Sequence, residues 1–347
     1  MRTFLSVFPG LDEEYDPVEP RRGCGAEAAE PAEQPSLPPA RPLIMDLKLV
    51  CRRIVASTGI LGAVLAAVAV PASAAGDQVV TRVSEAERAA ALAYWTPERM
   101  RQWVGDDELP PAEKIGREWE RPVPAGVGRL FFTAEPGVDG SCTATVIPSA
   151  TKDVALTAGH CVNGGFDRHD NPIKIVNVVF VPGYDHGEAP HGVFAARAFA
   201  WSATYPGPSS GIDDDAVLAL DPVGGRHVAE VAGTQDISFE TSPSPVDATL
   251  LGYPVSKAAG GEALFSCARP ATLDANSVSI SWKTDCDLAG GSSGGPWLRN
   301  FDPATGKGTI FSVTSRGTMN EELVTLDLSG AALSEPVRKL IENAPDL

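Results

Sequence analysis

The sequence predicts an all-β fold of the antiparallel sandwich or barrel type, followed by a C-terminal helix. After Pro124, short runs of β-branched and aromatic residues are separated by Gly, Pro, Asn and Asp, the pattern of short strands joined by turns. Strands do not alternate with helical segments and no internal repeat is visible, which argues against a parallel sheet and a solenoid. The predicted strands are 128–133, 141–147, 154–157, 173–181, 193–201, 216–220, 248–251, 277–282 and 310–315.

The predicted C-terminal helix depends on the spacing of four apolar residues. Leu333, Val337, Leu340 and Ile341 are spaced i, i+4, i+7 and i+8. Residues at these intervals lie on one face of a helix, so they form a single apolar stripe. The stripe gives the helix one face to bury against the β domain.

Composition narrows the choice of partners. The 347 residues suit one large domain or two small ones with appendages, and 43% of them are hydrophobic, as in an ordinary globular core. The net charge of −17 argues against nucleic acids and anionic membrane surfaces, because binding phosphate groups requires basic patches.

The N-terminal part of the chain predicts export. Residues 1–44 are rich in Pro, Glu and Ala, and we expect them to be disordered. Met45 then opens a basic stretch, an apolar run over 54–70 and the small-residue sequence Pro-Ala-Ser-Ala-Ala. This pattern predicts a secretory signal peptide over 45–75, with Met45 as the true start and residues 1–44 read from an upstream start codon. The alternative is an uncleaved signal anchor formed by 54–70.

Residues 76–124 have a charged, helical pattern. Ser84 with Glu87 forms a capping box before an Ala-rich run, and Thr96-Pro97 marks a second helix start. A helical segment between a signal peptide and a β domain fits a propeptide, which would make the protein a zymogen. A permanently attached N-terminal extension fits equally well.

Three separate motifs carry residues suited to nucleophilic catalysis. His160 follows an apolar run that predicts a buried strand, and it precedes a cysteine that can anchor it, so it is a candidate general base. Asp213, Asp214 and Asp215 directly precede another buried strand. They form a solvated loop, a calcium site, or a group in which one carboxylate turns inward to hold the imidazole.

The third motif is the glycine-rich stretch 290–296, which carries Ser292 and Ser293. Such a turn can present a serine hydroxyl while backbone N–H groups converge on one point, as an oxyanion hole requires. The stretch also matches the G-x-S-x-G elbow of α/β-hydrolases, which place their histidine after the serine. None of the five histidines follows Ser293, which excludes that arrangement.

The three motifs, in the order His, Asp, Ser, resemble the trypsin/chymotrypsin-like serine peptidases. The resemblance covers about residues 125–345 and is strongest to secreted bacterial members near the glutamyl-endopeptidase (V8-like) branch. It implies a peptidase domain over 125–347 with two six-stranded antiparallel β-barrels and the active site between them. It further implies His160 as general base, Asp214 as the carboxylate that orients it, and Ser293 as nucleophile, although Asp213 and Asp215 remain alternatives for the carboxylate. The N–H groups of Gly291 and Ser293 would form the oxyanion hole.

The cysteines support the same family. The family pairs Cys142 with Cys161, and a second disulfide, Cys267–Cys286, would brace the approach to the nucleophile loop. An even, paired set of cysteines in an exported chain is typical of disulfides. A zinc site is disfavoured because no C-x-x-C or H-E-x-x-H motif occurs, and we expect neither a metal nor a cofactor.

Signals for substrate specificity conflict. Asp287 lies six positions before Ser293, where trypsin-like members carry a carboxylate that selects Arg or Lys at P1. Glutamyl-specific members carry a histidine on the strand that forms the wall of this pocket. Here that strand includes Ser315 and Gly317, which we expect to contact substrate, but it has no histidine, and Arg316 at its rim would favour acidic residues.

These observations together predict a secreted, extracellular serine endopeptidase. We expect a monomer that acts on protein or peptide substrates without nucleic acid or stable membrane association. The alternatives are a catalytically silent binding protein of the same fold and a protease tethered by 54–70.

Overall fold

The computed structural model describes residues 2–4, 76–102, 116–255, 260–274, 281–288, 290–321 and 324–347. The predicted signal peptide and nearly all of residues 1–44 lie outside this described part. Within it, no helix is both long enough and apolar enough to cross a membrane. The elements that precede the first barrel are β1 (Arg2–Phe4), β2 (Gln78–Arg82), α1 (Glu85–Tyr94), α2 (Pro97–Gln102) and β3 (Arg117–Glu118).

The first barrel consists of six antiparallel strands in the order β8-β7-β4-β5-β6-β9, and pairing of β8 with β9 closes it. β2 adds to the outside of the barrel by pairing with β8. The interior of the first barrel holds a large apolar cluster in which Leu130, Phe180 and Leu218 are fully buried. The six strands are β4 (Val127–Ala134), β5 (Val138–Val146), β6 (Val154–Thr157), β7 (Ile175–Pro182), β8 (Phe194–Ser202) and β9 (Ala216–Leu220).

A short helix α3 (Val228–Ala232) and strand β10 (Asp236–Ile237) lead to the second barrel. Its strand order is β15-β14-β11-β12-β13-β16, and pairing of β15 with β16 closes it. β1 and β10 add to β15, and β3 adds to β12. The strands are β11 (Val246–Gly252), β12 (Phe265–Asp274), β13 (Ser281–Thr284), β14 (Pro296–Asp302), β15 (Lys307–Met319) and β16 (Thr325–Ala332).

The predicted all-β class with two closed six-stranded barrels and a C-terminal helix is confirmed. All six strands of the first barrel coincide with predicted runs. In the second barrel β12, β14 and β16 were not predicted, because β12 contains Pro270, β14 begins with Pro296 and β16 is rich in Gly, Ala and Ser. Such residues have weak strand propensity, so these strands depend on pairing with their neighbours.

The C-terminal helix α4 (Glu335–Asn343) is capped by Ser334, whose hydroxyl accepts a hydrogen bond from the N–H of Val337. Val337 and Leu340 are buried, while Leu333 and Ile341 pack at the edge of the core. The predicted apolar stripe therefore faces the protein.

Residues 76–102 pack closely against the first barrel. The predicted capping box is present, with reciprocal hydrogen bonds between Ser84 and Glu87 at the start of α1. Trp95 is buried against Phe131, at 5.0 Å between ring centroids, and its indole N–H donates to the Asn177 carbonyl at 2.7 Å. Met100 of α2 is also buried in this core.

Candidate active site

His160 lies in a single turn of 3₁₀ helix, Gly159–Cys161, directly after β6. Cys161 forms a disulfide with Cys142 of β5, and the Cα atoms of the two residues are 6.3 Å apart. The turn and the disulfide hold the imidazole in place, and the residue is almost fully buried. The second disulfide, Cys267–Cys286, is also present.

Asp214 holds His160 through both the backbone and the ring. Its Oδ1 accepts the backbone N–H of His160 at 2.9 Å, and its Oδ2 is 2.8 Å from His160 Nδ1. The hydroxyl of Ser315 donates to the same Oδ2 at 2.6 Å. With Nδ1 engaged by the carboxylate, Nε2 is the ring nitrogen left to accept a proton.

Asp214 is suited to remain ionised although it is fully buried. Burial by itself would raise its pKa, but the nearby His160 and the hydrogen bonds from His160 and Ser315 outweigh burial. The net result is a pKa below the ordinary value, so a carboxylate charge is available to stabilise an imidazolium.

The two neighbouring aspartates are turned elsewhere. Asp213 accepts hydrogen bonds from the hydroxyls of Thr204 and Ser334. Asp215 is fully buried, and within the described part of the chain neither of its carboxyl oxygens has a hydrogen-bond partner. Burial, and then the charges of Asp214 and Asp213, raise the pKa of Asp215 well above its ordinary value. Of the three carboxylates considered from sequence, the structure brings Asp214 to His160.

The nucleophile loop is fixed by backbone hydrogen bonds. The N–H of Gly294 donates to the Thr314 carbonyl, and the N–H of Thr314 donates to the Gly295 carbonyl, both at 2.8 Å. Gly291 has a φ of 91°, and a Cβ atom at this position would overlap the carbonyl oxygen of Tyr253. Only glycine suits both constraints.

The two serines of the loop differ in exposure. Ser292 is buried and its hydroxyl donates to the Leu288 carbonyl at 3.4 Å, whereas Ser293 is partly exposed. Among the described residues, no acceptor binds the N–H of Gly291 or of Ser293. Donors intended for an oxyanion must be free in this way.

Ser293 and the turn that carries His160 are bonded to two adjacent residues of β5, Thr143 and Cys142. The Ser293 carbonyl accepts the N–H of Thr143 at 2.8 Å, and the preceding residue, Cys142, is disulfide-bonded to the neighbour of His160. In the described part of the chain, Cys142, His160 and Cys161 bring potential metal ligands within 4.8 Å of one another. Since the two sulfurs are bonded to each other, the group offers no thiolate for a metal.

The three predicted substrate-contacting residues have different surroundings. Ser315 bonds Asp214, as described, so its hydroxyl supports the histidine–aspartate pair. Gly317 pairs with Leu328 across β15 and β16. Asp287 is buried, and its Oδ1 accepts the backbone N–H of Gly116 at 2.6 Å.

The hydroxyl of Thr143 donates to the Gly291 carbonyl and accepts the N–H of Tyr253, and the sequence does not predict these two contacts. Its partners Gly291 and Tyr253 lie 148 and 110 positions away, so no local pattern indicates them.

Comparison with known proteins finds solved protease structures that are similar to this one. The sequence matches no family model and no curated protein. The structure is similar to the protease Anisep from Arthrobacter nicotinovorans, with 27% identity, a TM-score of 0.58, and coverage of 67% of this chain and 100% of the other. It is similar to the thermostable serine protease AL20 from an extremophilic microorganism, with 30% identity, a TM-score of 0.55, and coverage of 63% and 96%.

A third similar structure is that of a Glu endopeptidase in complex with MPD, with 18% identity, a TM-score of 0.51, and coverage of 71% and 100%. This similarity concerns the fold alone. The double barrel and its serine protease neighbours together place the chain in the trypsin/chymotrypsin-like family of serine peptidases.

Proposed function

We propose that this protein is a serine endopeptidase that hydrolyses peptide bonds through Ser293, His160 and Asp214 by way of an acyl-enzyme. The observation that supports this most directly is the buried Asp214, which bonds both the backbone and the ring of His160. This arrangement orients a general base. The partly exposed Ser293 lies in the glycine-rich loop, and its carbonyl is hydrogen-bonded to Thr143 of β5.

The first half of the reaction forms the acyl-enzyme. Ser293 Oγ attacks the peptide carbonyl carbon while its proton passes to His160 Nε2. The N–H groups of Gly291 and Ser293 donate hydrogen bonds to the oxyanion of the tetrahedral intermediate. His160 then gives its proton to the leaving amine as the C–N bond breaks, and the acyl group stays on Ser293.

The second half releases the acyl group. A water molecule attacks the ester carbon and gives one proton to His160, and the Ser293 oxygen leaves and takes that proton back. Asp214 keeps the imidazole in one tautomer and stabilises the imidazolium in both halves. Ser315 holds Asp214 Oδ2 in place through its hydroxyl.

We further propose that the protein is secreted and acts as a monomer on extracellular proteins or peptides. Support comes from the predicted signal peptide at 45–75 and from the two disulfides, which are typical of an oxidising compartment. Trp95 and Met100 belong to the core, which favours a retained N-terminal extension over a removable propeptide. N-terminal sequencing of the protein from culture medium tests secretion and retention of the extension. A start near residue 76 supports both, a mature form that still carries 54–70 contradicts cleavage of the signal peptide, and a start after 124 contradicts retention.

The nucleophile is tested with a fluorophosphonate probe, which labels an activated serine. We expect labelling of the wild type and of Ser292→Ala, and none of Ser293→Ala. Peptide hydrolysis should fall by roughly 10⁶-fold in Ser293→Ala, because the covalent path is lost. The matched Ser292→Ala variant removes a buried hydroxyl beside the nucleophile. Absence of labelling in the wild type would indicate a catalytically silent protein.

The orienting carboxylate is tested by comparing two adjacent aspartates. Asp214→Asn should lower kcat by about 10⁴-fold, because an amide at this position favours the wrong tautomer of His160. Asp213→Asn should stay within about tenfold of the wild type, since Asp213 bonds Thr204 and Ser334 instead of the histidine. Steady-state hydrolysis of one peptide measures both. A larger loss in Asp213→Asn would show that the wrong carboxylate has been chosen.

A further inference from the structure

We propose that Asp287 is a positioning residue that fastens the N-terminal segment 116–119 to the nucleophile loop, so that this segment takes part in organising the active site. The proposal rests on the serine peptidase function proposed above. It differs from the role that the position of Asp287 in the sequence suggests, which is to select Arg or Lys at P1.

The contact itself is short and buried. The backbone N–H of Gly116 donates to Asp287 Oδ1 at 2.6 Å, and both residues are buried. Asp287 is only 4% exposed. A hydrogen bond to a carboxylate is about twice as strong as one between neutral groups, and losing it in a buried place is costly.

The segment that supplies this N–H is part of the second barrel. β3 pairs with β12, where Arg117 is opposite Ser266 and Glu118 is opposite Phe265. The N–H of Trp119 continues this pairing by donating to the Leu264 carbonyl at 2.8 Å. The N-terminal end of this added strand is therefore held at the Asp287 carboxylate.

The other side of the contact leads to the nucleophile. Asp287 lies between Cys286, which is disulfide-bonded to Cys267 of β12, and Leu288, whose carbonyl accepts the Ser292 hydroxyl. A Cβ atom on Gly116 would lie 2.7 Å from Leu288 Cδ2 and 3.1 Å from Asp287 Oδ1. Gly116 is therefore packed directly against Asp287 and Leu288, with no room for a side chain between the segment and the residues that precede Ser293.

The two roles of Asp287 require different chemistry. Selecting Lys or Arg at P1 requires a negative charge, whereas holding the Gly116 N–H requires an acceptor oxygen of the right shape. Asn at position 287 removes the charge and keeps an acceptor oxygen, and Ala removes both. Comparison of Asp287→Asn with Asp287→Ala therefore separates the roles.

The test uses the full-length secreted protein and matched peptides that differ only in P1, with Lys, Glu or Leu. We expect Asp287→Ala to lower kcat about tenfold or more for all three peptides to a similar extent, with little change in KM. Asp287→Asn should stay within about threefold of the wild type on every peptide. A selective loss of the Lys peptide in Asp287→Asn would overturn the proposal and assign Asp287 to P1 recognition, even if Asp287→Ala fails to fold.

A second pair of variants tests the segment. Gly116→Ala should reproduce the uniform loss of kcat, because the added Cβ atom displaces the segment from Asp287 and Leu288. The double variant Gly116→Ala with Asp287→Ala should be little worse than Asp287→Ala alone, because both substitutions disturb the contact between Gly116 and Asp287. Gly76→Ala is the control, since a Cβ atom there meets no atom within 4 Å. Full activity of Gly116→Ala, or independent losses that multiply, would contradict the proposal. Failure of the wild type to react with the fluorophosphonate would instead defeat the proposed peptidase function.

Discussion

Asp213, Asp214 and Asp215 have identical side chains, yet each has a different environment. Asp213 accepts hydrogen bonds from two hydroxyls, Asp214 holds His160, and Asp215 is buried without a hydrogen-bond partner among the described residues. Asp213 lies in a turn with a φ of 50°, whereas Asp214 and Asp215 lead directly into β9, so the backbone aims the three carboxylates in different directions. A buried carboxyl group without a partner is costly when ionised, and this gives Asp215 a measurable effect on stability.

We expect the stability contributed by Asp215 to depend on pH. Because burial raises its pKa above the ordinary 3.8, the folded protein retains a proton that the unfolded chain releases. The stability that the retained proton contributes is fully present below pH 3.8, and it is lost as the pH rises through the pKa of Asp215 in the folded protein. Asn at this position cannot ionise, so the melting temperature of Asp215→Asn relative to the wild type should increase as the pH rises above the ordinary pKa of 3.8. Thermal unfolding measures this difference, and a constant difference would show that Asp215 does not hold its proton.

At the scale of elements, β2, α1, α2 and β3 pair and pack with the two barrels. β2 extends the first barrel, α1 and α2 bury Trp95 and Met100, and β3 extends the second barrel. Removal of these elements would expose apolar surface of the barrels that the elements now cover. The extension therefore adds to stability, and through Gly116 it reaches the residues before the nucleophile.

Truncation of Trp95 tests the extension as part of the core. We expect Trp95→Ala to lower the free energy of unfolding by about 3–5 kcal/mol, because it leaves a large cavity and an unpaired Asn177 carbonyl. Leu92→Ala, at an exposed position of α1, the helix that directly precedes Trp95, should change it by less than about 1 kcal/mol. Urea unfolding in a Ser293→Ala background avoids self-digestion. Equal effects of the two substitutions would mean that α1 contributes little to the folded domain.

At the scale of the whole molecule, Thr143 of the first barrel braces the nucleophile loop of the second. Its N–H donates to the Ser293 carbonyl, and its hydroxyl donates to the Gly291 carbonyl and accepts the N–H of Tyr253, both at 3.0 Å. One residue therefore fixes the backbone on both sides of the proposed oxyanion hole. The active site depends on the two barrels keeping their relative position.

The Thr143→Val variant should show whether the hydrogen bonds of Thr143, rather than its packing, support the nucleophile loop. It keeps the side-chain shape but leaves the Tyr253 N–H and the Gly291 carbonyl without that partner, so we expect kcat to fall about tenfold with little change in KM. The control is Thr145→Val on the same strand, since the buried Thr145 hydroxyl has no hydrogen-bond partner in the described part. This control should keep wild-type activity and equal or higher stability. Unchanged kcat in Thr143→Val would indicate that the loop needs no support from the first barrel.

Local patterns in the sequence were sufficient for the class of fold and for the candidate catalytic groups. Alternating β-branched runs and turn residues predicted all six strands of the first barrel, and apolar spacing predicted α4. His160 and Ser293 were recognisable because each lies in a short motif of small residues that favours a tight turn. Information of this kind lies within about ten residues along the chain.

The tertiary structure decided the features that depend on distant contacts, including the choice among Asp213, Asp214 and Asp215, for which the resemblance had favoured Asp214 and left the other two open. His160 meets Asp214 across 54 positions, Ser315 meets Asp214 across 101, and Gly116 meets Asp287 across 171. The weakly patterned strands β12, β14 and β16 likewise form because neighbouring strands supply their hydrogen bonds. Local sequence specifies backbone preference and chemical type, whereas the direction in which a buried carboxylate faces is set by the groups that the folded chain brings to it.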